Sequence, residues 1–557
     1  MAYGPTSVEV MRLLPAASPH GEADPAGAIR LRIIIYTDIG DVHFPVKGEH
    51  MGFADRLAGA VAAPPAHADA LVHQDGWWTW GHMRALMAAT EDFLQAAGCG
   101  SQQRVGIVLD NKPEHIAAAL AVLSSGRCLV SLSAIQPPPA LATSLTHARL
   151  PVVLASPATL WDTRVTEAIR ATGTRYGALL ADGNVVPGPA AHPQPNPAPE
   201  HAPPGATIEI SSSGTTGPPR TITLHERQVE ASLAASGQYK TTDQNGMAAP
   251  RPTTVIAHPI SHIAGLWALL GAVVSGRRIV LMPRFHVDDW VAAVHRHRVH
   301  TAFLVPAALR SILDARPPTD HLSSLALINT GASHCPPEVT RGFWDHYGIP
   351  VLTTYGTTEF AGAIAGWTRQ LHADWVRSKA GSAGRAYPGV ELRVSDAAGT
   401  VLPRGWVGRL EVRSDQAQPG TSSWTRTNDL ARIDADGFLW IAGRADAVIQ
   451  RGGFKIQPER IEQVLQRHPG VREATVIGMP DERVGAVPVA AIEPEPHAEP
   501  PTEQELLDAC RSNLAPYEQP RDIVFFDLPR TPSGKIIRAD VADRVREAQQ
   551  IRDDAAS

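Results

Sequence analysis

The 557-residue chain is 43 % hydrophobic and 19 % charged, enough apolar material for a large core and too much for a disordered chain. Its formal net charge of -6 argues against a protein whose main task is to coat nucleic acid. Cys99, Cys128, Cys335 and Cys510 form no CxxC pair, which argues against a zinc ribbon or disulfide framework and makes a reducing, cytoplasmic setting the expectation. No apolar run is long enough for a membrane span, and the start of the chain reads poorly as a signal peptide.

Residues 1–50 mix Pro, Gly and charge around one β-like run and differ from the rest of the chain. They read as an accessory or poorly ordered segment, or as a translation start placed too early. From residue 53 onward strand and helix signals alternate. Arg104–Leu109 reads as a buried strand. Pro113 then opens a helix that stops at Gly126. Further apolar runs at 128–132, 151–155, 254–258, 278–282, 301–305 and 325–329 continue the strand series, with amphipathic segments such as 287–297 between them. Strands separated by helices imply parallel sheets with helices on their faces. The stretch 187–204 holds eight prolines and should be an extended surface loop. Near 443–446 the pattern restarts, with a short strand at 447–450 and a helix from Pro458. A second Pro/Glu-rich loop precedes the helix-like 503–514.

The sharpest chemical signal is Ser211-Ser212-Ser213-Gly214-Thr215-Thr216-Gly217-Pro218-Pro219-Arg220, which follows a strand-like run at 207–210. Glycine lets backbone N–H groups approach an anion, hydroxyls add donors, and the closing arginine adds charge. The chemistry suits a polyphosphate. Alone, the segment has a Gly/Ser/Thr linker as its lesser reading, and it is no Walker A loop because no Gly-Lys-Ser/Thr follows the second Gly. His295, His297 and His300 imitate a metal cluster, but residues two apart on a helix diverge, so they read as a surface feature.

Seven further segments occur in order: His258-Pro259-Ile260-Ser261-His262-Ile263-Ala264-Gly265-Leu266, Asn329-Thr330-Gly331-Ala332, Thr354-Tyr355-Gly356-Thr357-Thr358-Glu359, Thr427-Asn428-Asp429, Gly443-Arg444-Ala445-Asp446, Arg451-Gly452-Gly453-Phe454-Lys455-Ile456, and the 529–538 stretch around Ser533-Gly534-Lys535. With the 211–220 loop they make the sequence resemble the adenylate-forming superfamily of acyl-CoA synthetases, peptide-synthetase adenylation domains and firefly luciferase. The resemblance covers roughly residues 53–545.

The resemblance implies an α/β fold with a large N-terminal domain, 51–443, of parallel-type sheets with flanking helices and a small β subdomain. A small mobile α+β C-terminal domain, 444–545, and a tail, 546–557, would follow. It implies two half-reactions, acyl-AMP formation from ATP and a carboxylate, then displacement of AMP by a thiol. Ser212, Ser213, Gly214, Thr215, Thr216, Gly217 and Arg220 would hold the β- and γ-phosphates. Gly331 and Ala332 would lie on the adenine side, with Thr354, Tyr355 and Gly356 beside them and Tyr355 offering a flat face. Thr358 would donate to the α-phosphate, and Glu359 is a hard ligand suited to Mg²⁺. Asp429, acceptor-only when ionised, would take the ribose hydroxyls with help from Arg444. Lys535 would bridge the carboxylate and the α-phosphate. Asp446 would be the hinge, and Arg451, Gly452 and Gly453 would line a coenzyme A channel.

His262, Ile263, Gly265, Trp267, Gly331, Phe360, Ala361 and Gly362 would form the acyl pocket. His262 would lie beside the carboxylate, although alone it reads also as a core histidine. The segment lacks an acidic partner for an α-ammonium, which disfavours amino acids. The expected substrate is an apolar acid (fatty, aromatic or alicyclic), and with no carrier domain after Lys535 the expected acceptor is free coenzyme A. A separate carrier protein and a non-catalytic nucleotide-binding paralogue are the alternatives. Arg220 stands where the family has lysine, and Asn428 where it has glycine.

Overall fold

Arg104–Leu109, Cys128–Ser133 and Val152–Ala155 are buried almost throughout, as parallel strands covered by helices on both faces must be. In the computed structural model they form the centre of a seven-stranded sheet. The structure describes residues 52–556 apart from 75, 190–201, 204, 213–219, 236–251, 419–423, 452–453, 482, 497 and 532–533. The segment 1–50 and most of the proline-rich stretch therefore lie outside the described residues, and Met51–Ser557 is a unit of its own.

The seven-stranded sheet runs in the order Val185–Pro187, Arg175–Leu179, Val152–Ala155, Arg104–Leu109, Cys128–Ser133, Ala206–Ser212 and Arg220–His225. Its inner strands are parallel and its two edge pairs antiparallel. A second, nine-stranded sheet has a parallel core of Asp69–His73, Arg278–Leu281, Thr253–Ile256, Thr301–Leu304, Leu327–Thr330 and Val351–Thr357. Gly76–Thr79 closes one edge antiparallel, and Gly362–Gly366 and Arg385–Ala386 close the other.

Two helices explain how the sheets stack. Pro113–Ser124 is mostly apolar, and residues 113–123, Glu114 and His115 among them, are buried without interruption. Ile263–Val274 is nearly as apolar. A helix without a polar face must be covered on every side. Both contribute to one apolar cluster shared with strands of both sheets, including Ile107, Ile116, Leu270 and Ile279. Beyond the second sheet, Glu391–Ser395, Val407–Arg413, Thr425–Ile433 and Leu439–Arg444 form a four-stranded antiparallel sheet.

The last part of the chain builds a five-stranded sheet from Ile449–Arg451, Phe454–Ile456, Val471–Asp481, Gly485–Pro494 and Asp522–Phe525. Pro458–Leu465 and Glu503–Asn513 cover one face through Ile461, Leu465 and Leu506. Arg538–Ala556 covers the other through Val541 and Val545. The architecture is thus the expected α/β fold, with a small antiparallel sheet and an α+β C-terminal part. All four cysteines are buried and unpaired. No helix among the described residues is long and apolar enough to cross a membrane. His295 packs against His321 and His297 against Trp77.

Candidate active site

The strand Val351–Thr357 ends in a single 3-10 turn, Thr358–Phe360, and this turn sets the position of Glu359. Its carbonyls are taken by buried polar side chains from distant segments. Gln228 Nε2 donates to Glu359 O at 3.0 Å, Ser232 Oγ to Ala361 O at 2.8 Å, and Gln416 Nε2 to Phe360 O and Ala363 O at 3.0 and 3.1 Å. Buried carbonyls need such partners. Gly356 is required by contact: a Cβ there would lie 1.9 Å from Gly362 O. The Glu359 side chain is left exposed at the mouth of a cleft of about 1390 Å³.

The cleft collects most of the expected groups. From the large part come Ala332, Thr354, Tyr355, Gly356, Thr358 and Phe360, and from the small antiparallel sheet comes Asp429. Arg444, Asp446 and Lys535 complete the wall. Asp429 and Arg444 are register partners on adjacent strands. Tyr355 Oη donates to Asp429 Oδ2. Burial pushes the Tyr355 phenol up, and the neighbouring carboxylate adds to the effect. Burial also raises Asp429, opposed by the Tyr355 bond and by Arg444, and reinforced by Asp446 and Glu359. Arg444 grips Asp446 with two parallel bonds, Nε to Oδ1 at 2.8 Å and Nη2 to Oδ2 at 2.6 Å, which holds that carboxyl below its usual range. Asn428 also reaches Asp446, Nδ2 to Oδ2 at 3.5 Å, and accepts from Arg409.

Lys535 lies on a tight hairpin in which Thr531 N donates to Lys535 O at 2.7 Å and Lys535 N donates to Thr531 Oγ1 at 3.1 Å. Its ammonium titrates below the ordinary lysine value. Burial is the main cause, the Arg444 cation adds to it, and Glu359 opposes it. Lys535, Arg444 and Glu359 therefore share one field, although they reach the cleft from three separate segments.

His262 caps the N-terminus of Ile263–Val274, and its buried Nε2 has no hydrogen-bond partner among the described residues. Burial lowers its titration, and the Lys535 cation lowers it further. The turn before it is held by a residue that sequence reasoning missed. Asn111, 2 % exposed, donates from Nδ2 to His258 O at 2.9 Å and Met282 O at 2.8 Å, and its Oδ1 accepts from Ile260 N at 3.0 Å. Ser131 Oγ donates to Ser261 O at 2.9 Å. A polar residue directly after an apolar strand was the only hint of Asn111 in the sequence.

The expected acyl-pocket residues divide. Trp267 is half-buried, its Nε1 donating to Ser232 Oγ at 2.8 Å, and Ile263 packs against the inter-sheet cluster. Phe360 and Ala361 are buried in two different apolar clusters, although Phe360 also borders the cleft. Gly265, Gly331 and Gly362 sit where backbone or a fixed side chain passes close: an added Cβ would lie 2.2 Å from Pro259 O, 2.7 Å from Thr354 Oγ1 and 3.0 Å from Trp267 Nε1, respectively. Arg451 commits its guanidinium to Tyr517 O and Gln519 O, each at 3.1 Å. Residues 213–217, with Gly452 and Gly453, lie outside the described residues, and Ser212 and Arg220 are described only as strand residues.

Among the described residues no group of three or more His, Cys, Asp or Glu could hold a metal ion. Glu359 is a hard oxygen donor, the residue type that would suit a Mg²⁺ ion taking its other oxygens from phosphate and water.

The AMP-binding enzyme family profile matches residues 57–420, and the AMP-binding enzyme C-terminal domain profile matches 460–535. A sulfoacetate–CoA ligase of Cupriavidus necator is 29 % identical over 461 residues, covering 80 % of this chain and 88 % of that protein. A 2-succinylbenzoate–CoA ligase of Bacillus cereus is 30 % identical over 352 residues, covering 61 % and 70 %. The structure of o-succinylbenzoate CoA synthetase from Bacillus subtilis with its acyl-adenylate intermediate superposes with a TM-score of 0.72 at 25 % identity, covering 87 % of this chain and 97 % of that one.

Proposed function

The chain belongs to the AMP-binding enzyme family, and from that premise we propose that it activates an apolar carboxylic acid as an acyl-adenylate and passes the acyl group to coenzyme A. The observation that supports this most is the meeting of Lys535, Arg444, Glu359 and Asp429 around one cleft.

In the first half-reaction a carboxylate oxygen attacks the α-phosphorus of ATP. The new P–O bond replaces the bond to the β-phosphate oxygen, and pyrophosphate leaves. Two anions must approach, so the work is charge neutralisation and alignment. Mg²⁺ on the triphosphate, held by Glu359, would neutralise phosphate charge. Lys535, as its ammonium, supplies a buried positive charge to the reacting oxygens, the same burial that lowers its titration. Thr358 donates its hydroxyl to the α-phosphate. Asp429, fixed by Tyr355, accepts from the ribose hydroxyls, and the Tyr355 ring flanks the adenine. His262 is a neutral donor or acceptor beside the carboxylate, because burial and Lys535 disfavour its charged form.

In the second half-reaction a thiolate sulfur attacks the acyl carbon, the acyl–oxygen bond breaks and AMP leaves. We place a domain boundary at 443/444 and assign the hinge to Asp446. The part beyond it would then turn to present Arg451, Gly452 and Gly453 in place of Lys535.

The test is AMP release from Mg-ATP with a panel of acids, with and without coenzyme A, products read by mass. The panel spans fatty, aromatic and alicyclic acids and includes sulfoacetate, 2-succinylbenzoate and indoleacetate, which name the substrates of similar ligases. Coenzyme-A-dependent release with an acyl-CoA mass supports the proposal and names the acid class. Acyl-AMP without thioester redirects it to a carrier protein, and no AMP with any acid refutes it for that panel.

A further inference from the structure

Lys535 is useful only if its hairpin is aimed, and the structure shows what aims it. Arg530 is a register partner of Ile536 across that hairpin. Its Nη2 lies 2.6 Å from Glu473 Oε2 and 2.9 Å from Glu493 Oε2. Glu493 also accepts from Leu528 N at 3.2 Å and pairs with Arg472 at 3.3 Å. Three residues after the lysine, Arg538 reaches the same strand, Val471–Asp481. Its Nη1 donates to Val476 O and its Nη2 to Glu462 Oε1, both at 2.8 Å, and Glu462 Oε1 accepts from Val476 N at 2.8 Å. The lysine hairpin is therefore stapled at both ends to one side of the five-stranded sheet.

We propose that Arg530, held by Glu473 and Glu493, is a positioning residue that sets the reach of Lys535 into the cleft. This rests on the reading of Lys535 as the cation of acyl-adenylate formation. Arg530 itself borders the cleft, as do Arg472, Glu473 and Glu493. Its charge is already matched. The four side chains form the alternating chain Arg472–Glu493–Arg530–Glu473, two cations and two carboxylates. An arginine so neutralised adds little attraction for phosphate, and what remains is geometry. Nη2 meets both carboxylates while Nη1 donates to Gly534 O of the hairpin at 3.5 Å, a two-nitrogen link that a lysine ammonium on a flexible stem does not fix as well.

The experiment uses the full chain with Arg530→Ala, Arg530→Lys and Glu473→Gln. Adenylation is read as ATP–pyrophosphate exchange, and thioester formation is read from supplied acyl-adenylate. Arg530→Ala should lower the adenylation kcat on the order of a hundredfold, the scale of a loss caused by misplacing a reacting group by about an ångström. KM for ATP and the thioester half should stay near wild type, the pattern of an interaction made in the transition state of one step. Arg530→Lys should recover part of the loss, and Glu473→Gln should show a smaller loss of the same kind. Deuterium exchange should rise over 527–538 and nowhere else. Wild-type pyrophosphate exchange by folded Arg530→Ala, or an equal fall in both halves, overturns the proposal. If the wild-type enzyme makes no acyl-adenylate with any acid, the functional reading fails instead. The exchange measurement then still decides the clamp, because unchanged 527–538 exchange in Arg530→Ala overturns it. If Arg530→Ala fails to fold, Glu473→Gln carries both readouts.

Discussion

Replacing Asn111 by leucine removes one side chain and unpairs three backbone groups at once. His258 O and Met282 O lose donors at 2.9 and 2.8 Å, and Ile260 N loses an acceptor at 3.0 Å. Leaving a buried polar group unpaired costs about 1–3 kcal/mol, so three such groups, allowing for relaxation, cost about 4 kcal/mol. The loss is local, because Asn111 ties the end of one sheet's strand to the turn that carries His262. At about 1.4 kcal/mol per decade, up to a thousandfold faster opening of that turn is expected. Hydrogen exchange followed by mass spectrometry, on peptides covering 258–266, reads it directly. Peptides covering Arg104–Leu109 serve as the internal control, since that strand keeps its ladder. Asn111→Asp keeps an acceptor for Ile260 N and should fall between the two. Unchanged protection of 258–262 in a folded Asn111→Leu protein would refute the argument that these bonds hold the turn.

Lys535→Ala should reduce adenylation by roughly a hundredfold to a thousandfold, the loss seen when one charge-stabilising donor is removed, while thioester formation from supplied acyl-adenylate survives; stopped half-reactions measure both. The free-enzyme kcat/KM for adenylation should fall as pH rises through the Lys535 titration, which lies below the ordinary lysine value of 10.5, and Lys535→Arg should move that alkaline limb upward. The sign for stability is opposite: the unfolded chain holds this proton to higher pH, so the buried ammonium costs stability at neutral pH and the cost is relieved as pH rises towards the unfolded value. Gly265→Ala places a Cβ 2.2 Å from Pro259 O and 3.0 Å from His258 O, contacts with backbone that only a shift of the helix can relieve. Differential scanning calorimetry should show a lower melting temperature, reflecting about 1–3 kcal/mol of overpacking that outweighs alanine's helix preference. An unchanged or higher melting temperature would count against the close approach.

The elements with a clear apolar pattern were legible. Arg104–Leu109 and the helix Val287–His297 end at the residues that apolar pattern predicts. The strand expected at 325–329 instead occupies Leu327–Thr330, because Leu325 N closes a turn onto Leu322 O. The helix Ile263–Val274 was hidden, since its first turn reads as site chemistry and its glycine as room for a ligand. Glycines and alanines at 331, 361 and 362 carried the same ambiguity, because a sequence does not separate space for a substrate from space for a neighbouring strand. Gln228, Ser232 and Gln416 were not legible at all, and Asn111 was marked only by its polarity after an apolar strand. Their partners are mostly backbone groups more than 100 residues away in three of the four cases, and no local period marks such a residue. Arg530 was visible only as part of a motif, while its partners Glu473 and Glu493 come from strands that lie outside the motif in the sequence.

The register that pairs Leu71 with Ile279 joins residues 208 positions apart. At about 5–20 residues per second, the ribosome makes the second of them some 10–40 s after the first. The seven-stranded sheet, ending at His225, is by then complete. During that interval Asp69–His73 has only its hairpin partner Gly76–Thr79. The helix Pro113–Ser124 already has its own strands and the helices Phe53–Ala62 and Trp80–Ala96 to lie on. What stays open for that interval is the strand edge of Leu71 and Val72, two residues that end up buried.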